Sequence, residues 1–358
     1  MKRTLLSLVF GIVVILSSKK SHAQDVVGGY TASNNYPFFV SLIEPNSLGA
    51  PYSPFCGGAL IKSQWVLTAG HCVVNFSTGQ NEDSIDVLIN VYSLSNPNPT
   101  YQRVTSDYII RHPDFDTQGR SLLGDLALIH LKSPANVTPI GLIDTNDRKY
   151  EIPNNTVDVI GFGIYDTTSW GSQPDMLQIA NIKVIANSLA NAPERYNGLI
   201  DTTMICAGRI DTSAKGAAAG DSGGPLFDTD SAGNRIQIGI VSFGNGPHST
   251  SLHPGVYTRV SAYRKWIDDS IYAYENSTGI NDKKKKDFNV KQSTDGIEIV
   301  IPDLNSEQLK ISISDINGKV IYQSNTLEKI KTTCFAKGVY FINVITNQSV
   351  YQTKKVII

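Results

Sequence analysis

The run KGAAAGDSGGP, Lys215 to Pro225, sets one serine among glycines, with an aspartate before it and three alanines leading in. Glycine costs conformational entropy and alanine fills little volume, so a packed core gains nothing from such a stretch. Backbone that must turn sharply and admit another chain gains a great deal. The pattern Gly220-Asp221-Ser222-Gly223-Gly224 fits two folds: the strand-to-helix elbow of an alternating α/β sheet, or a turn in an all-β domain. The residues on either side decide between them.

From Pro37 to Tyr257 the chain offers short strand-like runs: Phe38 to Leu42, Trp65 to Thr68, Asp86 to Val91, Leu126 to Leu131, Val157 to Gly161, Gln178 to Ile185 and Ile236 to Phe243. Clusters of Gly, Asn, Ser and Pro separate them, and no helical period intervenes. That is the pattern of an all-β barrel or sandwich. The α/β elbow also needs an acid and then a histidine after the serine, which this order of residues does not favour. One helix is expected, over Ser261 to Tyr274, where Tyr263, Trp266, Ile267 and Ile271 recur at three- and four-residue steps behind Ser261 as cap.

At 358 residues the chain suits one domain of more than 200 residues plus a small one. Its 31 Lys and Arg nearly cancel its 32 Asp and Glu, which removes the basic footprint of a nucleic-acid binder. Lys2 and Arg3 precede the apolar run Leu5 to Leu16, and Ser21-His22-Ala23 supplies a small-x-small cleavage site, so residues 1–23 read as an export signal. The apolar run makes about 18 Å of helix, short of the roughly 30 Å slab a membrane span must cross. No later run is long enough either, so no membrane span is expected in the mature form.

Export permits disulfides. Cys56 and Cys72 lie sixteen apart and are expected to pair; Cys206 reads as a buried free thiol, and Cys334 has no obvious local partner. No Cys/His cluster has zinc spacing, so neither a metal nor another cofactor is expected.

A serine hydroxyl is a weak nucleophile at neutral pH and needs a base within reach and a third group to orient that base. Of the six histidines, His71 stands out because LTAGHC (Leu67 to Cys72) ends a strand and is pinned by a cysteine at the next residue. His112, His130, His248 and His253 read as surface or structural. The orienting acid must be buried to hold one tautomer. GDLALIHL places Asp125 at the head of an apolar strand, where a merely solvated carboxylate has no reason to sit.

LTAGHC, GDLALIHL and GDSGGP in that order, with VVGG at Val26 and PGVYTRVSAYRKWI from Pro254, resemble the chymotrypsin/trypsin family of serine endopeptidases, from about Val26 to Tyr274. The resemblance implies a two-barrel domain over 26–275 in which Ser222 attacks a peptide carbonyl, His71 carries the proton and Asp125 orients His71. It implies an oxyanion hole from the N–H groups of Gly220 and Ser222, and Ser242 beside the buried acid. Phe243 and Gly244 are to bind substrate backbone. It further implies a zymogen: cleavage before Val26 frees an amino group that pairs with Asp221. Asp25 stands where the family carries Arg or Lys, so a separate activating peptidase is expected to remove a pro-segment of residues 24–25.

The same resemblance bears on the substrate. The position where trypsin-like members carry a pocket aspartate is Gly216, followed by Ala217, and Gly244 and Gly255 leave the walls open. Cleavage after large apolar or aromatic residues is expected. Ala218 replaces a cysteine that braces this pocket, and Lys215 turned inward would favour an acidic residue instead. A catalytically inactive binding protein on the same scaffold is the other reading.

Asn276 to Asp287, with four lysines at 283–286, reads as a solvated linker. From Phe288 to Ile358 strand alternation returns, with Asn317-Gly318 as a hairpin turn, giving a small β-sandwich. ISISDINGKVIYQ and GVYFINVITNQSVYQTKKVII resemble the C-terminal sorting domain of bacterial type IX secretion, which implies a secretion machinery as partner and an extracellular or cell-surface destination.

Overall fold

A computed structural model describes residues 28–33, 36–45, 47–116, 123–164, 173–210, 215–246, 248–277, 288–293, 296–300, 309–315, 319–327, 329–331, 335–346 and 354–358. The expected export signal, pro-segment, Val26, most of the linker with its lysines, the Asn317-Gly318 turn and Cys334 lie outside the described residues. The described residues group into two compact units that divide at Arg264 and Lys265.

The first unit holds two barrels of six strands. Strands β1 (Phe39–Ile43), β2 (Cys56–Lys62), β3 (Trp65–Thr68), β4 (Asp86–Ile89), β5 (Gln102–Arg111) and β6 (Ala127–Leu131) close in the order β1-β2-β3-β6-β5-β4. Strands β7 (Thr156–Gly161), β8 (Gln178–Ile185), β9 (Met204–Gly208), β10 (Pro225–Thr229), β11 (Arg235–Phe243) and β12 (Gly255–Arg259) follow. Their pairings β7-β8-β9-β12-β11-β10, closed by β10 on β7, repeat that circular order. Closure leaves no free edge on either sheet.

Apolar and β-branched side chains explain where the strands lie. Trp65, Val66 and Leu67 on β3 and Ala127, Leu128 and Ile129 on β6 are all at most 1% exposed. Two glycines in β2 are set by spacing rather than by turn chemistry: a Cβ at Gly58 would come within 2.9 Å of Val66 Cγ1. A shared core joins the barrels, with Phe39 and Leu88 from the first meeting Ile160, Ile179 and Phe227 from the second. Phe38 stands edge-on to Phe227, ring centroids 5.4 Å apart, a geometry worth about 1 kcal/mol beyond burial alone.

The expected helix runs from Val260 to Ser277. It begins before Ser261 and reaches two residues into the expected linker. Ser261 is not its cap: the hydroxyl donates to the buried Glu151 at 2.6 Å, and Arg259 and Arg148 donate to the same carboxylate. A buried acid with two guanidinium partners anchors the helix start better than a solvated cap would.

The second unit is β-rich. Strands β13 (Asn289–Ser293) and β14 (Gly296–Val300) pair with each other, and β15 (Leu309–Asp315), β16 (Val320–Ser324), β17 (Val339–Thr346) and β18 (Lys354–Ile357) form a sheet in the order β16-β15-β17-β18. Phe288, Ile297, Ile311, Ile313, Ile342 and Val344 fill its core. Among the described residues no helix is long and apolar enough to cross a membrane.

Candidate active site

His71 sits in a single 3-10 turn, Gly70–Val73, directly after β3. Cys72 is joined to Cys56 at the start of β2, as its spacing predicted. Gly57, next in the chain, donates its N–H to Ser222 O at 2.8 Å. Three short links therefore tie the histidine's turn to the serine's loop. Gly223 completes the junction at φ 78°, where a side chain would run into Thr68 and the Gly57 carbonyl of the first barrel.

Asp125, just before β6, is 2% exposed and holds His71 twice. Its Oδ1 accepts the His71 main-chain N–H at 2.9 Å, and its Oδ2 lies 2.9 Å from Nδ1. Ser242 Oγ donates to the same Oδ2 at 2.5 Å. A carboxylate can only accept, so Nδ1 carries the proton and Nε2 is left as the base. Burial works against the charged imidazole, but the Asp125 charge and its hydrogen bond to the ring together outweigh it and the His71 pKa is raised above 6.5. Burial alone would raise the Asp125 pKa; the His71 charge and the hydrogen bonds reverse it, and the net shift is downward.

Two further contacts fix Asp125 from the far end of the chain. Thr258 on β12 donates to its carbonyl at 2.7 Å, and Tyr263 on the terminal helix accepts the Gly124 N–H at 3.0 Å. Neither was visible in the sequence, where Tyr263 reads only as a helix-face residue.

Ser222 follows Asp221, which is wholly buried. Asp221 accepts N–H bonds from Gly163 at 2.8 Å and Ala218 at 2.9 Å and has no cationic partner among the described residues. Burial pushes its carboxyl up to about 6, against those two donors. Gly161 and Gly163 exist for this contact, since a Cβ on either would collide with the Asp221 carboxylate. Gly220, at φ 97°, holds the turn before the serine. The N–H groups of Gly220 and Ser222 make no hydrogen bond with the described residues.

A cavity of about 200 Å³ opens beside Ser222. Ala217, Ser242, Phe243, Gly244 and Gly255, expected from the sequence to bind substrate, are among its lining residues, and so are His248, expected to be surface or structural, and Ser249, for which the sequence carried no expectation. Gly216 lies behind Ser249: at φ 148°, a Cβ there would meet Ser249 Oγ at 2.9 Å. A side chain at Gly216 would require Ser249 to shift. Lys215 does not line the cavity; burial lowers its pKa, Arg209 lowers it further, and Asp158 opposes them.

In place of the missing brace, main-chain pairing closes the wall. Ala218 bridges His248, and Ser249 donates both its N–H and its hydroxyl to Ala217 O, at 3.0 and 3.1 Å. The other histidines have structural partners: His130 Nδ1 lies 2.6 Å from Asp107, and His112 Nδ1 accepts the Asp114 N–H at 3.2 Å. Cys206 is buried and unpaired, and burial pushes its thiol up to about 12. Among the described residues the one group close enough to share a metal is Cys56, His71 and Cys72, whose sulfurs are bonded to each other.

A family profile described as Trypsin matches residues 26–267, and trypsin of Sus scrofa is 36% identical over 251 residues, 69% of this chain and 96% of that protein. The chain belongs to the trypsin family. Kallikrein-7 of Homo sapiens is 30% identical over 74% of this chain and 94% of its own. Among solved structures, neuropsin, described as a serine protease expressed in the limbic system of mouse brain, matches with a TM-score of 0.56 at 25% identity, covering 68% of this chain and 98% of its own. A profile described as Secretion system C-terminal sorting domain matches residues 293–358. This trypsin-family chain is a serine endopeptidase that acts on proteins and carries a C-terminal domain for export to the cell surface or beyond.

Proposed function

We propose that His71, Asp125 and Ser222 form the catalytic triad of this protease and that it cleaves after large apolar or aromatic residues. The observation that carries the reading is the double hold of buried Asp125 on His71, which leaves Nε2 as the base. Ser222 Oγ attacks the scissile carbonyl carbon as its proton passes to His71, and the charged imidazole is stabilised by Asp125. The C–N bond breaks as that proton moves to the leaving amine. Water, deprotonated by the same histidine, then releases the acyl group. The unbonded N–H groups of Gly220 and Ser222 supply the donors for the oxyanion, one such donor being worth about 10²- to 10³-fold in rate.

An apolar substrate side chain suits a cavity whose lining, among the described residues, has no Lys, Arg, Asp or Glu. A buried basic side chain would lack a charge partner, at a cost of several kcal/mol. Labelling the purified enzyme with a serine-directed covalent inhibitor, beside Ser222→Ala, tests the triad: adduct on Ser222 is expected, and unlabelled wild-type protein that still cleaves would sink it. Profiling on a peptide panel tests the pocket, and preference for Arg would overturn it.

The domain plan belongs to the same reading: export signal 1–23, pro-segment 24–25, protease domain 26–275, linker 276–287 and sorting domain 288–358. Removal of Gln24-Asp25 by another peptidase frees the Val26 amino group, and the buried carboxylate of Asp221 is the partner it would neutralise. Mass spectrometry of the mature N-terminus is expected to find Val26; a start at Gln24 in fully active enzyme rules this out.

A further inference from the structure

The end of β9 separates two cavities. Along one edge Ala207 pairs with Gly255, which lines the cavity beside Ser222. Along the other Gly208 pairs with Lys183 of β8, and there a groove of about 490 Å³ opens. Buried Ile182, Val184 and Ile185 line it, and so do Leu189 and Ile210, which stay exposed. Lys183 and Arg209 stand on the same lining, brought side by side by that strand pairing, and no described lining residue is Asp or Glu. A second cavity of about 350 Å³ continues the groove, since the two share Pro153, Val184, Ile185 and Ala186. On that continuation Arg148 and Arg259 face the single carboxylate of Glu151, which leaves a net positive charge. The groove is therefore positive at two places with an apolar stretch between them, and cations gathered without countercharge on a concave surface attract an anionic partner.

We propose that this groove docks an acidic segment of the protein substrate, one that carries Asp or Glu on both sides of large apolar residues, at a distance from the scissile bond. Charge complementarity selects the acids, and the exposed Leu189 and Ile210 give the apolar residues something to cover. An anionic polysaccharide matches the charge but has nothing to place against those two side chains; a peptide satisfies both. One strand separates the groove from the cavity beside Ser222, so a single substrate chain can occupy the two together. Docking of this kind tightens the hold on whole proteins and leaves short peptides untouched, whatever side chain the cavity itself accepts.

The test uses the full chain carrying Ser222→Ala, so that the probe is not cut, and the fluorescein-labelled peptide Asp-Glu-Leu-Ser-Ile-Glu-Asp read by anisotropy. Saturable binding is expected, weakened about tenfold by Lys183→Glu combined with Arg209→Glu, because two exposed attractions become repulsions. Leu189→Ser is expected to weaken it by a similar factor, and so is replacing the probe's Leu and Ile by Ser, which tests the apolar half on an unaltered groove. In active enzyme the double charge reversal is expected to raise KM for casein, an acidic protein, by about tenfold while kcat/KM for a short peptide stays as in the wild type, which also shows that the variant is folded. No saturable binding, binding untouched by the double reversal, or an unchanged KM for casein overturns the proposal. Sulfated dextran that binds as tightly as the peptide, with Leu189→Ser without effect on either, shows a plain charge patch and overturns it too.

Discussion

His71 is held by a disulfide at the next residue and by two contacts to a buried carboxylate, which Ser242 and Thr258 hold in turn. The cavity on the other flank of Ser222 has no covalent brace: its wall closes through the Ala218–His248 bridge and the Ser249 bonds to Ala217 O. One side of the cleft is fixed by side-chain polarity and the other by main-chain pairing around small residues. Side-chain clamps set proton transfer to a fraction of an ångström, and pocket walls built of backbone leave substrate shape free to vary between relatives without disturbing the chemistry. The contrast implies that substitutions on the first side cost rate and those on the second change what is cleaved.

The largest effects are expected where the proton is handled. Ser222→Ala is expected to cut kcat by about 10⁶-fold and Asp125→Asn by about 10⁴-fold. Asp125→Asn also carries a sign. Against burial, the Asp125 charge together with its hydrogen bond to the ring lifts the His71 pKa above 6.5. Without it burial prevails and the pKa drops. The acid limb of kcat/KM, which reports the free enzyme's base, is expected to lie above pH 6.5 in the wild type and to move to lower pH in the variant. A limb that stays in place would show that another group sets it.

A pair of glycine substitutions separates the two sides more finely. Gly161→Ala drives a methyl into the Asp221 carboxylate and displaces the Gly220–Ser222 turn, so a loss of about 10²-fold in kcat, the value of one oxyanion donor, is expected for every substrate. Gly244→Ala lines the cavity but meets nothing within 4 Å and needs no special backbone angle. Its expected effect is a fall in the largest substrates relative to small ones, with the denaturation midpoint unchanged. Uniform loss of activity in Gly244→Ala would erase the distinction.

The same division runs through what could be read in advance. Strands Trp65–Thr68 and Gln178–Ile185 were legible to the residue because β-branched and aromatic side chains fill them. Strands Cys56–Lys62 and Pro225–Thr229 were not, since glycines set by neighbouring chains and a leading proline look like turns. His71, Asp125 and Ser222 stood out because a polar residue in an apolar or glycine-rich context needs a reason. Ser249 and Tyr263 gave no such signal: their roles arise from partners 32 and 139 residues away, and serine and tyrosine are unremarkable in any β-rich chain. Ser261 misled because a serine before an apolar period reads as a cap, whereas burial of Glu151 recruited it elsewhere.

Asp221 lies at the boundary between the two sides, and its titration gives the smallest effect. Its folded pKa, about 6, is above its ordinary 3.8 because burial penalises the charge. A carboxyl whose pKa is raised by folding binds its proton more tightly in the native state, so its contribution is fully present below pH 3.8 and is lost as pH rises through about 6. The loss approaches roughly 3 kcal/mol above pH 7. In chain that begins at Gln24, the denaturation midpoint of the protease unit is therefore expected to fall between pH 4 and 7, and Asp221→Asn is expected to flatten that slope. On the proposed activation, cleavage before Val26 is expected to supply an ammonium that favours the ionised form, lowering the pKa and restoring stability at neutral pH. Identical pH profiles before and after cleavage would mean that the new amino group does not reach Asp221, and that the pocket side of the cleft is ordered by its main-chain clasp alone.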